Sequence, residues 1–483
     1  MDLLCGRPGI YLRGGGVYLM VHVHLIGIGG SGMSAIARVL LESGYRVSGS
    51  DRQYSAVMEQ LQALGATVVL GHRAENIAGA DLVVRSSAIP EDNPEVVAAV
   101  ERGIPVLKRA EFIGRLMKDK TGIAIAGTHG KTTTTAMIAW MLTRLGEDPS
   151  FIVGGVSTNL ATNAHAGKGD VFVIEADEYD RMFLGLNPDI AVVTNIEHDH
   201  PDCFPTPEDF YRAFVEFSRQ IPEQGILLAC RDDAGALRLL EESSGLARSK
   251  LSYGFSEGNH PEFAGYTGRN LERNEAGGST FEAWREDSRL ARLNLNIPGE
   301  HNARNALAAL AVGDLLDLPL VEAARALGEY AGTGRRFEVR GEVSGITVID
   351  DYAHHPTEIA ATLDAVRWRF PGRTLWAVWQ PHTYTRTLAL FPGFTTAFSE
   401  ADHVLVTEVF GAREEARQDF SAARFVEKMG HPSVRFFSTL DEAAAFLAER
   451  LKPGDVLVVL SAGDADRISS QVLETLRTME DNG

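Results

Sequence analysis

The sequence predicts an α/β protein of three domains. Short apolar runs alternate with helical stretches along nearly the whole chain, the pattern of parallel sheets covered by helices. Glycine-rich turns follow strand-like runs and open helices at Gly27–Gly32 and at Gly127–Thr133. A length of 483 residues fits several domains of ~100–200 residues each.

Residues 1–20 are expected to be an unstructured extension, with Met1 and Met20 both standing as the start. The first domain, 21–120, opens with a strand (His22–Ile26), a helix (Ser31–Glu42), a strand (Arg46–Ser48) and a helix (Ala56–Leu64), with further βα units to Met117. The polar stretch Lys118-Asp119-Lys120-Thr121-Gly122 reads as a linker. The central domain, 121–332, begins with the strand Gly122–Ala126 and a helix from Lys131. Its sheet continues through Val171–Glu175, Ile190–Thr194 and Ile226–Ala229. Residues Glu257–Arg289 are polar and glycine-bearing, which predicts hairpin-like elaboration, and Ala303–Leu316 and Leu320–Leu327 read as helices. Gly332-Thr333-Gly334-Arg335-Arg336 marks the next boundary. The third domain, 333–483, alternates strands Thr347–Asp350, Leu375–Val378, His403–Val406, Val434–Phe436 and Val456–Leu460 with helices.

Composition narrows the function. Apolar residues make up 45% and charged residues 23%, which is ordinary globular usage and excludes a disordered or fibrous chain. The net charge of −19 argues against a general nucleic-acid or anionic-membrane surface. Cys5, Cys203 and Cys230 form no C-x-x-C pair, so neither a disulfide framework nor a structural zinc site follows. No apolar run approaches the ~20 residues needed to span a bilayer. A cytoplasmic protein, monomer or homodimer, is the expectation.

Each glycine loop has a physical reading. Gly27-Ile28-Gly29-Gly30-Ser31-Gly32 is a G-x-G-x-x-G, whose backbone N–H groups can approach a diphosphate at a helix N-terminus. Asp51 follows at about the ~20-residue distance at which an acid meets a ribose hydroxyl. Gly127-Thr128-His129-Gly130-Lys131-Thr132-Thr133 is a shortened phosphate loop, with Ile125 where the full pattern has glycine. Lys131 reaches β/γ-phosphates and Thr132 offers a hydroxyl to Mg²⁺. Together the loops suit a nucleotide-carried substrate activated by ATP.

Acid and imidazole groups gather at strand ends. Glu175-Ala176-Asp177-Glu178 and Asn195-Ile196-Glu197-His198-Asp199-His200-Pro201-Asp202 suit a divalent cation held against phosphate, Mg²⁺ or Mn²⁺ rather than zinc. Asn302 either meets an adenine edge or caps its helix. Arg335-Arg336, the cluster Asp350-Asp351-Tyr352-Ala353-His354-His355-Pro356, and Arg386 are each either substrate contacts or surface charge.

These motifs, in this order, resemble the Mur ligases, in the alanine-adding form. The likeness includes Thr194-Asn195-Ile196-Glu197, Pro298-Gly299-Glu300-His301-Asn302 and Arg335-Arg336-Phe337, and runs from about Val21 to the C-terminal region. It implies a Rossmann-like UDP-sugar domain, a central ATPase domain and a Rossmann-like C-terminal amino-acid domain. UDP-sugar contacts are implied for Gly27, Gly29, Gly30, Ser31, Gly32, Met33, Asp51 and Ser86. ATP contacts are implied for Gly127 through Thr133, Asn302, Asn305 and Asp351. The resemblance assigns metal binding to Thr132, Glu175 and His200, the amino-acid site to Tyr352, His354 and Arg386, and catalysis to Lys131, Glu175, His200, Arg336 and His354. The reaction it implies joins L-alanine to the lactyl carboxylate of UDP-N-acetylmuramate through an acyl phosphate, using ATP and Mg²⁺. A ligase adding a whole tripeptide during wall recycling, and a nucleotide sensor without ligation, are the alternatives. Two departures stand out. No lysine occurs between Lys168 and Lys250, so a carbamylated lysine near the metals is excluded, and Glu178-Tyr179-Asp180-Arg181 differs from the Glu-Ser-Asp-Ala form of several members.

Overall fold

The computed structural model describes residues 10–13, 17–243, 249–256, 263–415, 417 and 420–482. Cys5 lies outside them. The chain forms two compact units that interleave in sequence. The first holds the described chain up to Ile196, with Tyr211–Gly265 and Ala311–Leu318. The second holds Glu197–Phe210, Tyr266–Leu310 and the described chain from Pro319 onward.

The first unit contains a five-stranded sheet in the order Thr67–Leu70, Arg46–Asp51, His22–Ile26, Leu82–Arg85, Val106–Lys108, every neighbour parallel. His22–Ile26 is buried along its whole length, as expected of a central parallel strand covered on both faces. Its last residue, Ile26, lies level with Ser50 and Arg85. The first glycine loop therefore leaves the sheet at its carboxyl edge, where open parallel sheets bind ligands. Helix Ser31–Glu42 buries Met33, Ile36, Ala37 and Leu40, the i, i+3, i+4 stripe of an amphipathic helix.

Within the same unit a second sheet runs Thr162–His165, Ser150–Ser157, Val171–Glu175, Thr121–Ala126, Ile190–Val193, Ile226–Cys230, Ser249–Gly254. Thr121–Ala126 is paired in parallel on both sides, with Glu175 level with Ile125 and Val193 level with Ala126. The second glycine loop and the acidic strand end thus share one sheet edge.

The second unit carries an antiparallel meander of Gly265–Arg273, Ser279–Arg285 and Ser288–Leu295. Of the hairpin region expected at 257–289, residues 257–262 lie outside the described chain. The unit also holds a six-stranded sheet ordered Glu338–Val343, Ile346–Asp351, Val456–Leu460, Leu375–Trp379, His403–Val406, Val434–Phe436. Its core shows the two-residue period of a sheet buried on both faces. Val456, Val458 and Leu460 pack with Trp379 and Phe425, whereas Leu457 and Val459 pack with Ile468 and Val472.

Two expectations need correction. The 1–20 segment is not without structure, because Ile10–Arg13 pairs antiparallel with Val17–Met20. The flanking Ile, Tyr, Leu and Val residues favour strands, and the Gly14-Gly15-Gly16 run between them is a hairpin signal. The six-stranded sheet also begins before residue 347, with the antiparallel edge strand Glu338–Val343. Its Glu-Val-Arg-Gly-Glu-Val sequence lacks the apolar run of a central strand, as suits an edge.

Candidate active site

In the first unit, Gly27 adopts φ +83°, a conformation open to glycine, and its N–H and that of Ile28 donate to the Ser50 carbonyl at 2.8 and 3.1 Å. The Gly29 N–H donates to Asp51 Oδ2 at 2.9 Å. Asp51 thus braces the loop through its carboxylate. Gly30 and Ser31 are exposed, and Ser86 anchors its N–H on the Ile26 carbonyl at 3.1 Å. Met33 is only 2% exposed, so its side chain belongs to the core and not to a ligand surface.

The second loop is held from the neighbouring strand end. The His129 N–H donates to Asn195 Oδ1 at 2.8 Å, the Thr194 hydroxyl donates to the His129 carbonyl at 2.6 Å, and the Thr128 N–H donates to the Asn195 carbonyl at 3.1 Å. Gly127 has φ +139° and Gly130 φ +79°. Lys131 folds back: its Nζ donates to the Gly127 carbonyl at 2.5 Å and meets Glu178 at 2.8 Å. Burial pulls the lysine down, but Glu178 and then Glu175 outweigh it and hold the ammonium charged. Thr132 Oγ1 donates to Glu175 Oε1 at 3.1 Å, and Glu175 Oε2 accepts the Gly154 N–H at 2.7 Å. Thr133 is half-buried one position along. The hydroxyl of Thr132 and the carboxylate of Glu175 are hard oxygen donors side by side, which fits Mg²⁺. Glu178, which keeps the glutamate of the family's Glu-Ser-Asp-Ala form while Tyr179 and Arg181 depart from it, is the partner of Lys131, a pairing across 47 residues that spacing does not signal.

In the second unit, helix Glu300–Leu315 begins three residues earlier than expected. Asn302 therefore lies inside its first turn and does not cap it. Its amide donates to the Pro298 carbonyl at 2.7 Å, and Asn305 donates back to Asn302 Oδ1 at 3.4 Å. Asp351 ends a buried strand and accepts the N–H groups of Phe337 at 2.7 Å and Ala353 at 2.8 Å. Burial pushes its carboxyl up to about 6, against the pull of Arg336. Arg336 lies 5.1 Å from the Tyr352 ring centre and 3.4 Å from Glu358, a partner that the His355-Pro356-Thr357-Glu358 capping box places at the helix start.

Arg386, Asp199, His200, His354 and His382 form one cluster, with Arg386 and Asp199 buried and the three histidines half-buried around them. Arg386 donates to both Asp199 oxygens, to His382 Nδ1 at 2.9 Å and to His200 Nδ1 at 3.3 Å. A guanidinium has no acceptor, so both histidines accept at Nδ1, which leaves the His200 ring hydrogen on Nε2, 3.6 Å from Asp199 Oδ2; in this arrangement His200 offers no lone pair to a cation. Burial pushes Asp199 up, but Arg386 outweighs it and holds the carboxyl well below its usual range. Burial, with Arg386 second, drives His354 down to about 3 and His382 to about 4. His354 Nδ1 lies 2.9 Å from the Tyr352 carbonyl and must donate to it, leaving a lone pair on Nε2. The structure thus brings Tyr352, His354 and Arg386 together, with the guanidinium fork already engaged by Asp199.

Three family models match in order: the Mur ligase family catalytic domain over residues 22–121, the Mur ligase middle domain over 125–313, and the Mur ligase glutamate ligase domain over 335–463. The UDP-N-acetylmuramate–L-alanine ligase of Myxococcus xanthus is 44% identical over 94% of this chain and 95% of its own. That of Salinibacter ruber is 44% identical over 94% of each chain. Among solved structures, the UDP-N-acetylmuramate-alanine ligase MurC of Thermotoga maritima aligns with a TM-score of 0.77 at 28% identity, covering 95% of this chain and 99% of that one. A murein peptide ligase from Psychrobacter arcticus gives 0.68 at 27%, covering 94% and 98%. With its three domains matched in sequence order and its relatives aligned nearly end to end, this chain belongs to the Mur ligase family.

Proposed function

We propose that this protein is an ATP-dependent ligase that joins L-alanine to the lactyl carboxylate of UDP-N-acetylmuramate, acting in the cytoplasm. The observation that carries the reading is its near end-to-end 44% identity to alanine-adding ligases. The charged Lys131 beside Thr132 and Glu175 supports it. A carboxylate is a poor electrophile. Transfer of the γ-phosphoryl group from ATP to a carboxylate oxygen gives an acyl phosphate and ADP. The alanine amine then attacks the carbonyl carbon, the C–O bond to phosphate breaks, and the amine proton passes to solvent or a base. Lys131 and Arg336 stabilise the charge on the moving phosphoryl. Mg²⁺ held by Thr132 and Glu175 would neutralise phosphate charge; a second cation at His200 would require that ring to give up its Arg386 contact, which frees Nδ1 as a ligand. The first glycine loop carries the UDP diphosphate. His354 keeps its Nε2 lone pair at neutral pH and holds the incoming amine by accepting from it, since a group held so low removes protons weakly.

The test is ADP release with ATP, Mg²⁺ and UDP-N-acetylmuramate, adding L-alanine, L-serine, glycine or the wall tripeptide in turn. Release that needs L-alanine is expected. Release only with the tripeptide would transfer the protein to the peptide-adding relatives that share its fold. No release with any acceptor would refute ligation.

A further inference from the structure

The interior of the first domain holds a polar cluster that the proposed reaction does not use: His22, His24, Ser48, Ser50, Asn76 and Glu95, all but Asn76 less than a tenth exposed. Its proton count follows from geometry. His22 Nδ1 lies 2.8 Å from the Gly79 carbonyl, which only accepts, so this nitrogen carries hydrogen. His22 Nε2 and His24 Nδ1 each lie 2.7 Å from the Ser48 hydroxyl, which has one proton to give. If Ser48 donates to His22, then His24 Nδ1 must donate to Ser48. His24 Nε2, sealed from solvent with no hydrogen-bond partner among the described residues, then faces Glu95 Oε2 at 3.7 Å. A neutral His24 would aim a bare lone pair at a carboxylate there. If Ser48 instead donates to His24, His22 is doubly protonated and His24 Nε2 carries hydrogen. Both arrangements leave one excess proton on the relay.

Glu95 is the anion opposite it. Its Oε2 accepts from the Ser50 hydroxyl at 2.6 Å, and its Oε1 accepts from the Asn76 amide and from the Arg73 N–H at 3.4 Å. His72 Nδ1 donates at 3.0 Å to Ser50 and at 3.3 Å to Glu95. Burial raises Glu95, but His24, Ser50 and Asn76 outweigh it and hold the carboxyl down to about 2. Of the two rings, His24 is the one whose Nε2 faces the Glu95 carboxylate, at 3.7 Å, whereas His22 Nδ1 faces only the neutral Gly79 carbonyl; this puts the excess proton on His24.

From Glu95 two arms reach the first glycine loop. Ser50, gripped through its hydroxyl, uses its carbonyl to hold the N–H groups of Gly27 and Ile28. Asn76 donates to the Gly71 carbonyl at 3.0 Å, Gly71 donates to the Asp51 carbonyl at 2.8 Å, and Asp51 holds Gly29. We propose that a doubly protonated His24 and an ionised Glu95 form a buried pair that positions the first glycine loop for the diphosphate of its nucleotide ligand. Glu95 and His24 are positioning residues, since neither lies on the loop. The positioning role rests on reading that loop as the UDP-sugar site; the proton arrangement does not.

Two measurements test it on the full chain. Histidine ¹⁵N–¹H NMR at neutral pH is expected to show hydrogen on both nitrogens of His24 and on Nδ1 alone of His22. An unprotonated His24 Nε2 would overturn the pair. Calorimetric titration with UDP is expected to show Glu95→Gln binding roughly tenfold more weakly than the parent, as loss of one charge-assisted contact implies. Affinity for a non-hydrolysable ATP analogue at the second loop should be unchanged, which a general loss of folding would not allow. Equal UDP binding by Glu95→Gln would overturn the positioning role. If the parent itself binds no UDP, the reading of the loop fails and the positioning role fails with it, while the NMR result still decides the proton. Should Glu95→Gln not fold, Ser50→Ala cuts one arm alone and is expected to weaken UDP in the same direction; unchanged binding would again overturn it.

Discussion

Arg386 grips Asp199 through two nitrogens, Nε to Oδ1 at 2.7 Å and Nη2 to Oδ2 at 3.3 Å, with each side chain only 5% exposed. A guanidinium buried this deeply depends on its counter-charge. Asp199→Asn keeps the shape and removes the charge, so it is expected to cost about 3–5 kcal/mol in urea unfolding. Asp199→Asn with Arg386→Met removes both charges and should recover most of that loss. A single-variant cost below about 1 kcal/mol, the range of an exposed pair, would show that solvent reaches Arg386 and that its fork is open to a substrate carboxylate.

Lys131 and Glu178 form a pair of the same kind beside the second glycine loop. Lys131→Met is expected to abolish ADP release and also to destabilise the chain, because Glu178 is left buried without its cation. The double variant Lys131→Met, Glu178→Gln should regain stability in thermal melts while staying inactive. Activity in the double variant would remove Lys131 from phosphoryl transfer.

The strand, glycine loop and helix units were legible because each is local. Gly27 and Gly127 sit at positive φ where a strand turns into a helix, and that geometry leaves its mark within a few residues. The edge strand Glu338–Val343 was not legible, because an exposed edge needs no apolar run. Nor were the pairings that set charge in the site. Asp199 and Arg386 stand 187 residues apart, and Glu95 meets His24 only after the sheet has brought their strand and helix together. Residue types and spacing could nominate Arg386, His200 and Lys131 as functional. They could not say that Arg386 would already be engaged by Asp199, or that His200 would spend Nδ1 on the same guanidinium.

Two glycines of the two loops should respond differently to alanine. A Cβ on Gly127 would stand 2.0 Å from Thr194 Oγ1 and 3.1 Å from the Asn195 backbone, at φ +139°. Since the backbone cannot yield, Gly127→Ala is expected to cost about 2 kcal/mol or more and to abolish turnover. A Cβ on Gly32 would meet only the tip of Arg109, at 2.1 Å. That side chain can swing away at the loss of its 3.2 Å contact with Asp177, so Gly32→Ala should unfold within about 1 kcal/mol of the parent. Chemical denaturation of both variants checks the contrast, and equal losses would refute it.

The pH dependence of folding should carry the mark of Asp350. Burial pushes this carboxyl up to about 6, although it accepts from Ser469 and lies 3.2 Å from Arg340. A carboxyl whose pKa is raised on folding binds its proton more tightly in the folded chain than in the unfolded one. Its stabilising effect is therefore complete below about pH 4, and is lost as pH rises through about 6. By pH 7 the ionised group costs up to about 3 kcal/mol relative to acid. Asp350→Asn holds the neutral form permanently. Urea midpoints measured from pH 4 to pH 8 should fall less steeply in Asp350→Asn than in the parent, with the variant the more stable of the two at pH 8. Arg340 can turn to solvent when its partner is neutralised, since a third of its side chain is already exposed. Parallel curves for the two proteins would mean that Ser469 and Arg340 repay the whole desolvation cost of the Asp350 charge.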